Sequence, residues 1–266
     1  PDMRSIDVSS LKDSIITEAE HNFHEGIQAF KRNGTYYLVF ADISRRGMPT
    51  CLGYATSDFV TGPYTYRGVI VDNFGCDPFV WNNHGSVVEF GGQWYVFYHR
   101  ATNGGVTMRK SCVEPIYFNP DGTIDEVPMT TSGAAGPLDP YKRMGAERAC
   151  FLTGNARMVL CSKGDERLGN IRNQNTAAWK TFDFFRQPEK IKITLIPKEG
   201  GHITVYANNL CLPVLAFIDV PSGDGKTPLT VEAQINTPLL GVHPLFMRFS
   251  GAPDKDLFDI DSFIFE

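Results

Sequence analysis

The sequence has neither an excess nor a cluster of basic residues. Lysine and arginine number 25 against 30 aspartate and glutamate residues, which gives a formal net charge of −5. Proteins that bind a phosphate backbone without regard to base sequence concentrate positive charge on one surface, so we expect no nucleic-acid partner. Hydrophobic residues make up 42% of the chain, an ordinary fraction for a globular protein.

Long apolar runs are also missing. The longest, LCLPVLAFIDV, contains a proline and is far shorter than the roughly 20 residues that a membrane helix needs. The first residues, PDMRSIDVSSLKD, lack the charged, apolar and small-residue regions of a signal peptide. The sequence therefore predicts a soluble chain with no membrane partner, which is cytosolic, already processed, or cut from something longer.

Paired cysteine motifs are absent, although the chain has six cysteines. They are Cys51, Cys76, Cys112, Cys150, Cys161 and Cys211. No C-x-x-C spacing occurs among them, which excludes a zinc ribbon and a thioredoxin-type motif. The scatter favours buried free thiols. A disulfide such as Cys150 with Cys161 stays open, because connectivity cannot be deduced from sequence alone.

The sequence does contain a repeat, with an offset of 58 to 59 residues. GIQAFKRNGTYYLVFADI (26–43) and GSVVEFGGQWYVFYHRAT (85–102) each hold an apolar strand, a glycine turn, an aromatic pair and a second strand. The turns Asn33-Gly34 and Gly91-Gly92 favour the positive φ angles of two-residue hairpins. Each unit continues into a further strand pair, so the pattern predicts four strands per repeat.

Four-stranded repeats of this length are typical of β-propeller blades, whose first strands line a central axis. Glu25 and His84 fall at matching places, each one residue before the glycine that begins its inner strand. The pattern predicts that these two polar side chains converge on one central cavity. Two unrelated meanders of a β-sandwich are the alternative, and Glu25 would then be a solvated carboxylate at a hairpin edge.

Several motifs over residues 22–138 resemble glycoside hydrolase family 43, five-bladed propeller enzymes that release arabinose or xylose from plant polysaccharides. HEG with KRNGTYYLVF, YATSDFVTGPYTYRGVI, NNHGSVVEFGGQWYVFYHR and CVEPIYFNPDGTI follow the order of the family's third and fourth blades. The resemblance implies an all-β chain with a partial propeller, blades three to five, over residues 1–138. It also implies an inverting β-xylosidase or α-L-arabinofuranosidase that acts outside the cell, secreted or periplasmic, on xylan, arabinoxylan or arabinan.

Candidate site residues follow from the same resemblance. Glu25 matches the general acid that opens blade three, and His84 matches an axial histidine that helps hold a calcium ion or a water cluster. Arg109 matches an arginine that points into the pocket, and Phe79 and Trp81 could form an apolar wall against a sugar face. Core packing is the alternative for His84 and both aromatics, and a surface charge is the alternative for Arg109.

The chemistry requires a second carboxylate. Inverting hydrolysis uses one carboxylic acid to protonate the leaving oxygen and a carboxylate roughly 6.5 to 9.5 Å away to activate water. No aspartate base can be assigned, because the segment before Glu25 is too short to form blades one and two. We expect the missing N-terminal half as a second chain or precursor. One alternative is a catalytically incomplete carbohydrate-binding protein. The other is a structural scaffold, which would have no converging polar residues.

The Gly-Pro and Asp-Pro dipeptides at 136–140 indicate a linker, which we place at 139–142, and after it the aromatic-pair repeat stops. WKTFDFF, KIKITLIP, HITVYAN, VLAFIDV and PLFMRFS alternate in polarity and predict a jelly-roll β-sandwich over residues 143–266. The order of GAERA, LGNIRNQNTAAWKTFDF, GGHITVYAN and FDIDSFIFE resembles a family 6 carbohydrate-binding module, a frequent companion of these enzymes.

The module departs from its family where ligands would bind. Asn170 stands in place of the loop tyrosine that stacks on sugars, and Trp179 falls on a strand, where core packing is expected. Glu147 and Asp261 match two ligands of a structural calcium ion, for which carboxylate oxygens are suitable donors. Gly145 occupies a further ligand position. We expect at most calcium and no organic cofactor.

Overall fold

The computed structural model describes residues 4–5, 7–103, 105–162 and 164–266. Within these residues the helices are α1 (Glu18–His21) and three 3-10 turns, Val8–Ser10, Gly133–Ala135 and Ala146–Arg148. The strands are β1 (Phe23–Arg32), β2 (Thr35–Asp42), β3 (Cys51–Ser57), β4 (Thr65–Asp72), β5 (Ser86–Phe90), β6 (Gln93–Thr102), β7 (Gly105–Ile116), β8 (Met144–Gly145), β9 (Phe151–Leu152), β10 (Arg157–Ser162), β11 (Asp165–Gly169), β12 (Thr176–Phe184), β13 (Lys190–Pro197), β14 (Gly201–Ala207), β15 (Val214–Val220), β16 (Leu229–Gln234), β17 (Gly241–Ser250) and β18 (Phe258–Phe265). The predicted all-β class is confirmed.

Internal contacts divide the chain into two units. The first contains the chain up to Asp72 together with Asn82–Tyr98 and Ile116–Val127. The second contains Asn73–Trp81, His99–Pro115 and Pro128–Glu266. Two segments of the predicted propeller part are thus grouped with the sandwich strands, and the boundary at residues 139–142 stays a prediction.

The first repeat forms the predicted four-stranded blade. Strands β1 to β4 pair in chain order, each antiparallel to the next. Asn33 and Gly34 have φ angles of 49° and 92°, as a type I′ hairpin turn requires. Six of the eight β2 residues and all of β3 are buried. The two central strands therefore supply most of the core of this blade.

The second repeat departs from the prediction. Its strands form a three-stranded sheet, β5-β6-β7. The expected fourth strand reduces to one isolated bridge between Phe118 and Ile124. Pro120 offers no N–H group to a ladder. The segment instead packs on the first blade, where the Tyr54 hydroxyl accepts a bond of 2.7 Å from Ile124 N and the Tyr37 hydroxyl donates one of 2.8 Å to Gly122 O.

The described residues hold no sheet for the predicted blade five, since the two remaining sheets form the sandwich. One has the strand order β10-β11-β18-β13-β16, with β8 also paired to β18, and the other has the order β15-β14-β17-β12-β9. Trp179, Phe182, Phe249 and Phe263 lie in the shared core. The sandwich and the core position of Trp179 are confirmed.

All six cysteines are free thiols, as favoured from the sequence, and no Cys150–Cys161 disulfide forms. Burial is confirmed only for Cys51, Cys76 and Cys150. Burial, together with the nearby Asp72 and Asp42 carboxylates, raises the pKa of Cys51 to about 12.

Among the described residues, no helix is long and apolar enough to cross a membrane.

Candidate active site

Glu25 and His84 meet in the first unit. Glu25 lies near the start of β1, and His84 lies two residues before β5. Atom Nε2 of His84 is 3.4 Å from Oε1 of Glu25, and the side chains are 37% and 50% exposed, respectively. The repeat pattern predicts that these two side chains converge, and they are in contact, so the imidazole can orient the carboxyl group. A central cavity around them stays a prediction. The catalytic role of either residue stays a prediction.

Gly26 makes this contact possible. Its φ angle is +62°, and a Cβ atom at this position would lie 2.4 Å from Cδ2 of His84. The pairing of β1 with β2 also changes register on both sides of Glu25. Such irregularities commonly re-aim a side chain next to a functional site. The glycine after Glu25 thus leaves room for the histidine from the next repeat.

The backbone on both sides of His84 is fixed by close contacts. Asn83 is fully buried; its backbone N donates to Pro49 O at 2.6 Å, and its side chain donates to Thr50 O at 3.1 Å. A Cβ atom on Gly85 would lie 2.1 Å from Phe97 O, so only glycine allows the approach of these backbones. These neighbours hold the His84 side chain on the Glu25 side.

Gln28 also joins the two segments that carry Glu25 and His84, and the sequence did not predict it. Its Nε2 donates to Val87 O at 2.8 Å, and Val87 N donates to its Oε1 at 2.7 Å. Gln28 and Val87 are separated by 59 residues, as are Glu25 and His84. The equal offset is a signal that the repeat alignment contained.

The other three candidate substrate residues belong to the second unit. The side chains of Phe79 and Trp81 are each 44% exposed. The guanidinium of Arg157 lies 4.0 Å from the centre of the Phe79 ring, so one face of that ring is already covered. Arg109 is exposed on β7. Contact of these side chains with a sugar stays a prediction.

The candidate calcium ligands Glu147 and Asp261 line one cavity of about 150 Å³ in the second unit. The Asp261 carboxylate is already paired with a protein cation, because Arg143 Nη2 donates to Asp261 Oδ2 at 2.7 Å. The same cavity contains Glu166, which accepts a bond of 2.7 Å from Lys110 Nζ.

Burial alone would raise the pKa of Glu166, but hydrogen bonds from Lys110 and Thr102 bring it below its ordinary value. Gly145 contributes no ligand, and the Glu147 carboxylate folds over it, 2.2 Å from where a Cβ atom would stand. Over the described residues, no group of three or more His, Cys, Asp or Glu side chains is arranged to hold a metal. Because Arg143 pairs with the candidate ligand Asp261 and Lys110 pairs with the neighbouring Glu166, the residues as placed do not fit a calcium ion.

Comparison with known proteins identifies both parts of the chain. Residues 2–124 match the family model of glycosyl hydrolases family 43, and residues 153–266 match that of carbohydrate binding module family 6. Part of a family 43 glycosyl hydrolase domain is therefore joined to a family 6 module. The resemblance predicted from the motifs is confirmed, including the order of the two parts.

Two similar proteins align with most of this chain. The chain is 31% identical over 251 residues to a xylosidase/arabinosidase of Thermoclostridium stercorarium, covering 76% of this chain and 52% of that protein. It is 29% identical over 282 residues to an arabinoxylan arabinofuranohydrolase of Paenibacillus polymyxa, covering 97% of this chain and 44% of that protein.

A crystal structure of a family 43 arabinoxylan arabinofuranohydrolase from Bacillus subtilis is similar as well. It matches with a TM-score of 0.52 and 27% identity, over 92% of this chain and 54% of that one. The chain thus spans about half the length of the curated relatives that it matches.

Proposed function

We propose that this chain belongs to an inverting glycoside hydrolase acting on arabinose- or xylose-containing hemicellulose, and that Glu25 is its general acid. The observation that carries the proposal is the contact of Glu25 with His84 over Gly26, inside the segment that matches family 43. Glu25 is half exposed, so a glycosidic oxygen can reach it. The names of the similar proteins, xylosidase/arabinosidase and arabinoxylan arabinofuranohydrolase, suggest the substrate class.

The catalytic base would come from a part of the hydrolase domain outside these 266 residues, on the same precursor or on a second chain. An inverting reaction needs a carboxylate roughly 6.5 to 9.5 Å from the acid, on the far side of the sugar. The coverage of about half of each relative is consistent with a further part of the domain.

An uncovered apolar face in the first unit supports the same view. Val88 and Phe90 on β5 and Phe97 on β6 are 43%, 78% and 41% exposed. Ser86, Val88 and Phe90 are alternate residues of β5, so their side chains share one face of the sheet. Phe97 lies on the same face, because it pairs directly with Ser86. In a propeller each blade face packs on its neighbour, so a further blade would cover these side chains.

The test is Glu25→Gln in the native enzyme that contains these residues, measured on arabinoxylan-derived oligosaccharides. Loss of a general acid lowers turnover by about 10² to 10⁴-fold. Glu89→Gln is a matched control, because Glu89 is an exposed glutamate of the same unit. Turnover by Glu25→Gln at the level of the control would exclude Glu25 as the acid.

For the second unit we propose a carbohydrate-binding role, with the outer face of the β15-β14-β17 sheet as the contact surface. Phe217, Thr204 and Arg248 pair side by side across these strands. Phe217 is 57% exposed, and the His202 ring stacks on it with a centroid distance of 5.1 Å. An exposed ring of this kind can stack on a sugar face.

Phe217→Ala should reduce the retention of the full chain on xylan in affinity electrophoresis. Phe185→Ala is the control, since Phe185 is 63% exposed but packs on Tyr141. Equal retention of both variants would exclude this face. Because polymeric xylan lies outside cells, the proposed function also implies a secreted or periplasmic protein.

A further inference from the structure

Gln28 occupies a special place between the two repeats. β5 is an edge strand in the order β5-β6-β7, so one side of its backbone has no strand partner in that sheet. Val87 N and Val87 O both bond to Gln28, at 2.7 and 2.8 Å. A side-chain amide has a donor and an acceptor in one plane, like a peptide group. Gln28 thus pairs with β5 as a neighbouring strand would.

The hydrogen bonds between Gln28 and Val87 join the same two segments of the chain as the contact between Glu25 and His84. Each pair joins residues 59 apart, and the two pairs are three residues apart along both segments. Three residues of strand correspond to about 10 Å. Fixing one pair therefore restricts how far the other pair can slide or separate.

The ladder of β1 cannot fix Glu25 by itself. Its register with β2 shifts between Phe23 and Glu25 and again between Glu25 and Gln28, after which Gln28 pairs regularly with Val39. Gln28 is therefore the first residue after the irregular stretch that is held both by its own blade and by β5.

We propose that Gln28 is a positioning residue, which sets β5 against β1 so that the His84 imidazole lies on Glu25. The functional meaning of this inference rests on the proposed role of Glu25. The geometry can be tested without any activity.

The test measures the proximity of His84 to Gly26 by NMR in the full 266-residue chain. Cδ2 of His84 lies 2.4 Å from the Cβ position of Gly26, so the ring proton on Cδ2 should give a strong nuclear Overhauser effect (NOE) to the Gly26 α protons. Gln28→Glu keeps the shape but places a second acceptor against Val87 O. We expect this variant to lose more than half of the NOE intensity.

Gln93→Glu is the matched control. Gln93 also donates its amide to backbone oxygens in the first unit, at 2.8 Å to Trp94 O and 2.9 Å to Ile116 O. This variant should lose comparable thermal stability and keep the NOE. An undiminished NOE in Gln28→Glu, or an equal loss in both variants, would overturn the proposal.

If Gln28→Glu fails to fold, amide hydrogen exchange in the unsubstituted chain tests the proposal instead. The Val87 amide should be protected as strongly as the ladder amides of β5 and β6. Exchange of this amide at the rate of an unpaired edge amide would also overturn the proposal. Neither readout depends on turnover, so failure here is distinguishable from failure of Glu25 as general acid.

Discussion

At the scale of single residues, the contact between Glu25 and His84 requires a glycine at position 26. Gly26 combines a positive φ angle with a histidine ring where a side chain would begin. The sequence identified Glu25 and Gly26, because at the repeat offset a polar residue, His84, again stands before a glycine. It did not identify Gln28 as a bridge, because an amide that bonds to a distant backbone leaves no local pattern and its one signal is the shared offset of 59 residues.

Gly26→Ala should destabilise the chain more than Gly47→Ala does. Both glycines have a φ angle of +62°, but the Cβ position of Gly47 has no atom within 4 Å. Both variants bear the left-handed backbone cost of about 1 to 2 kcal/mol. Gly26→Ala should cost about 0.5 to 1.5 kcal/mol more, because the partly exposed His84 ring must rotate away. Denaturant unfolding measures the difference, and equal free energies of unfolding would contradict the described packing.

At the scale of elements, the first blade and the sandwich strands were predictable, and the second repeat was only partly so. Asn33-Gly34 fixes its hairpin by backbone preference alone, and alternating strands such as 190–197 mark their buried face in their own residues. The segment after β7 has strand-like composition. Its place is decided by distant bonds to Tyr37 and Tyr54, which local composition cannot reveal.

The cavity lined by Glu147 and Asp261 leads to a prediction about calcium. Arg143 bonds to Asp261 beside the pairing of β8 with β18, and Lys110 bonds to Glu166 on β11. Because protein cations already neutralise these carboxylates, millimolar calcium or a chelator should leave the thermal unfolding midpoint of the chain unchanged. Arg143→Gln should lower stability by up to about 1 kcal/mol, as expected for a partly exposed pair. A clear calcium-dependent rise in the midpoint would contradict this account.

The pair of Lys110 with Glu166 should also depend on pH. The pKa of Glu166 is lower in the folded chain than in the unfolded one, where a value of about 4.3 is expected. Its stabilising contribution is therefore complete above that value and is lost as the pH falls through the folded pKa. Lys110→Gln should weaken the acid dependence of unfolding at pH values below about 4.3. An unchanged acid dependence would show that the pair does not form in solution.

At the scale of the whole molecule, the order of a hydrolase part and a binding module was predictable because the motifs of each part resemble those of a known family. The grouping of Asn73–Trp81 and His99–Pro115 with the sandwich unit was not. It depends on contacts such as that of Arg157 with Phe79, between residues far apart in the sequence. Local periodicity determines the elements, and long-range contacts determine the unit to which each element belongs.

The central claim is that Glu25 donates the proton to the departing sugar oxygen. The most direct test is the dependence of kcat/KM on leaving-group pKa, for a series of aryl xylosides or arabinofuranosides with the native enzyme. Proton donation makes kcat/KM of the unsubstituted enzyme nearly independent of leaving-group pKa. Glu25→Gln should therefore make this dependence steeper and lower kcat/KM least for the best leaving groups. Parallel lines for the two enzymes, with equal losses across the series, would contradict the claim.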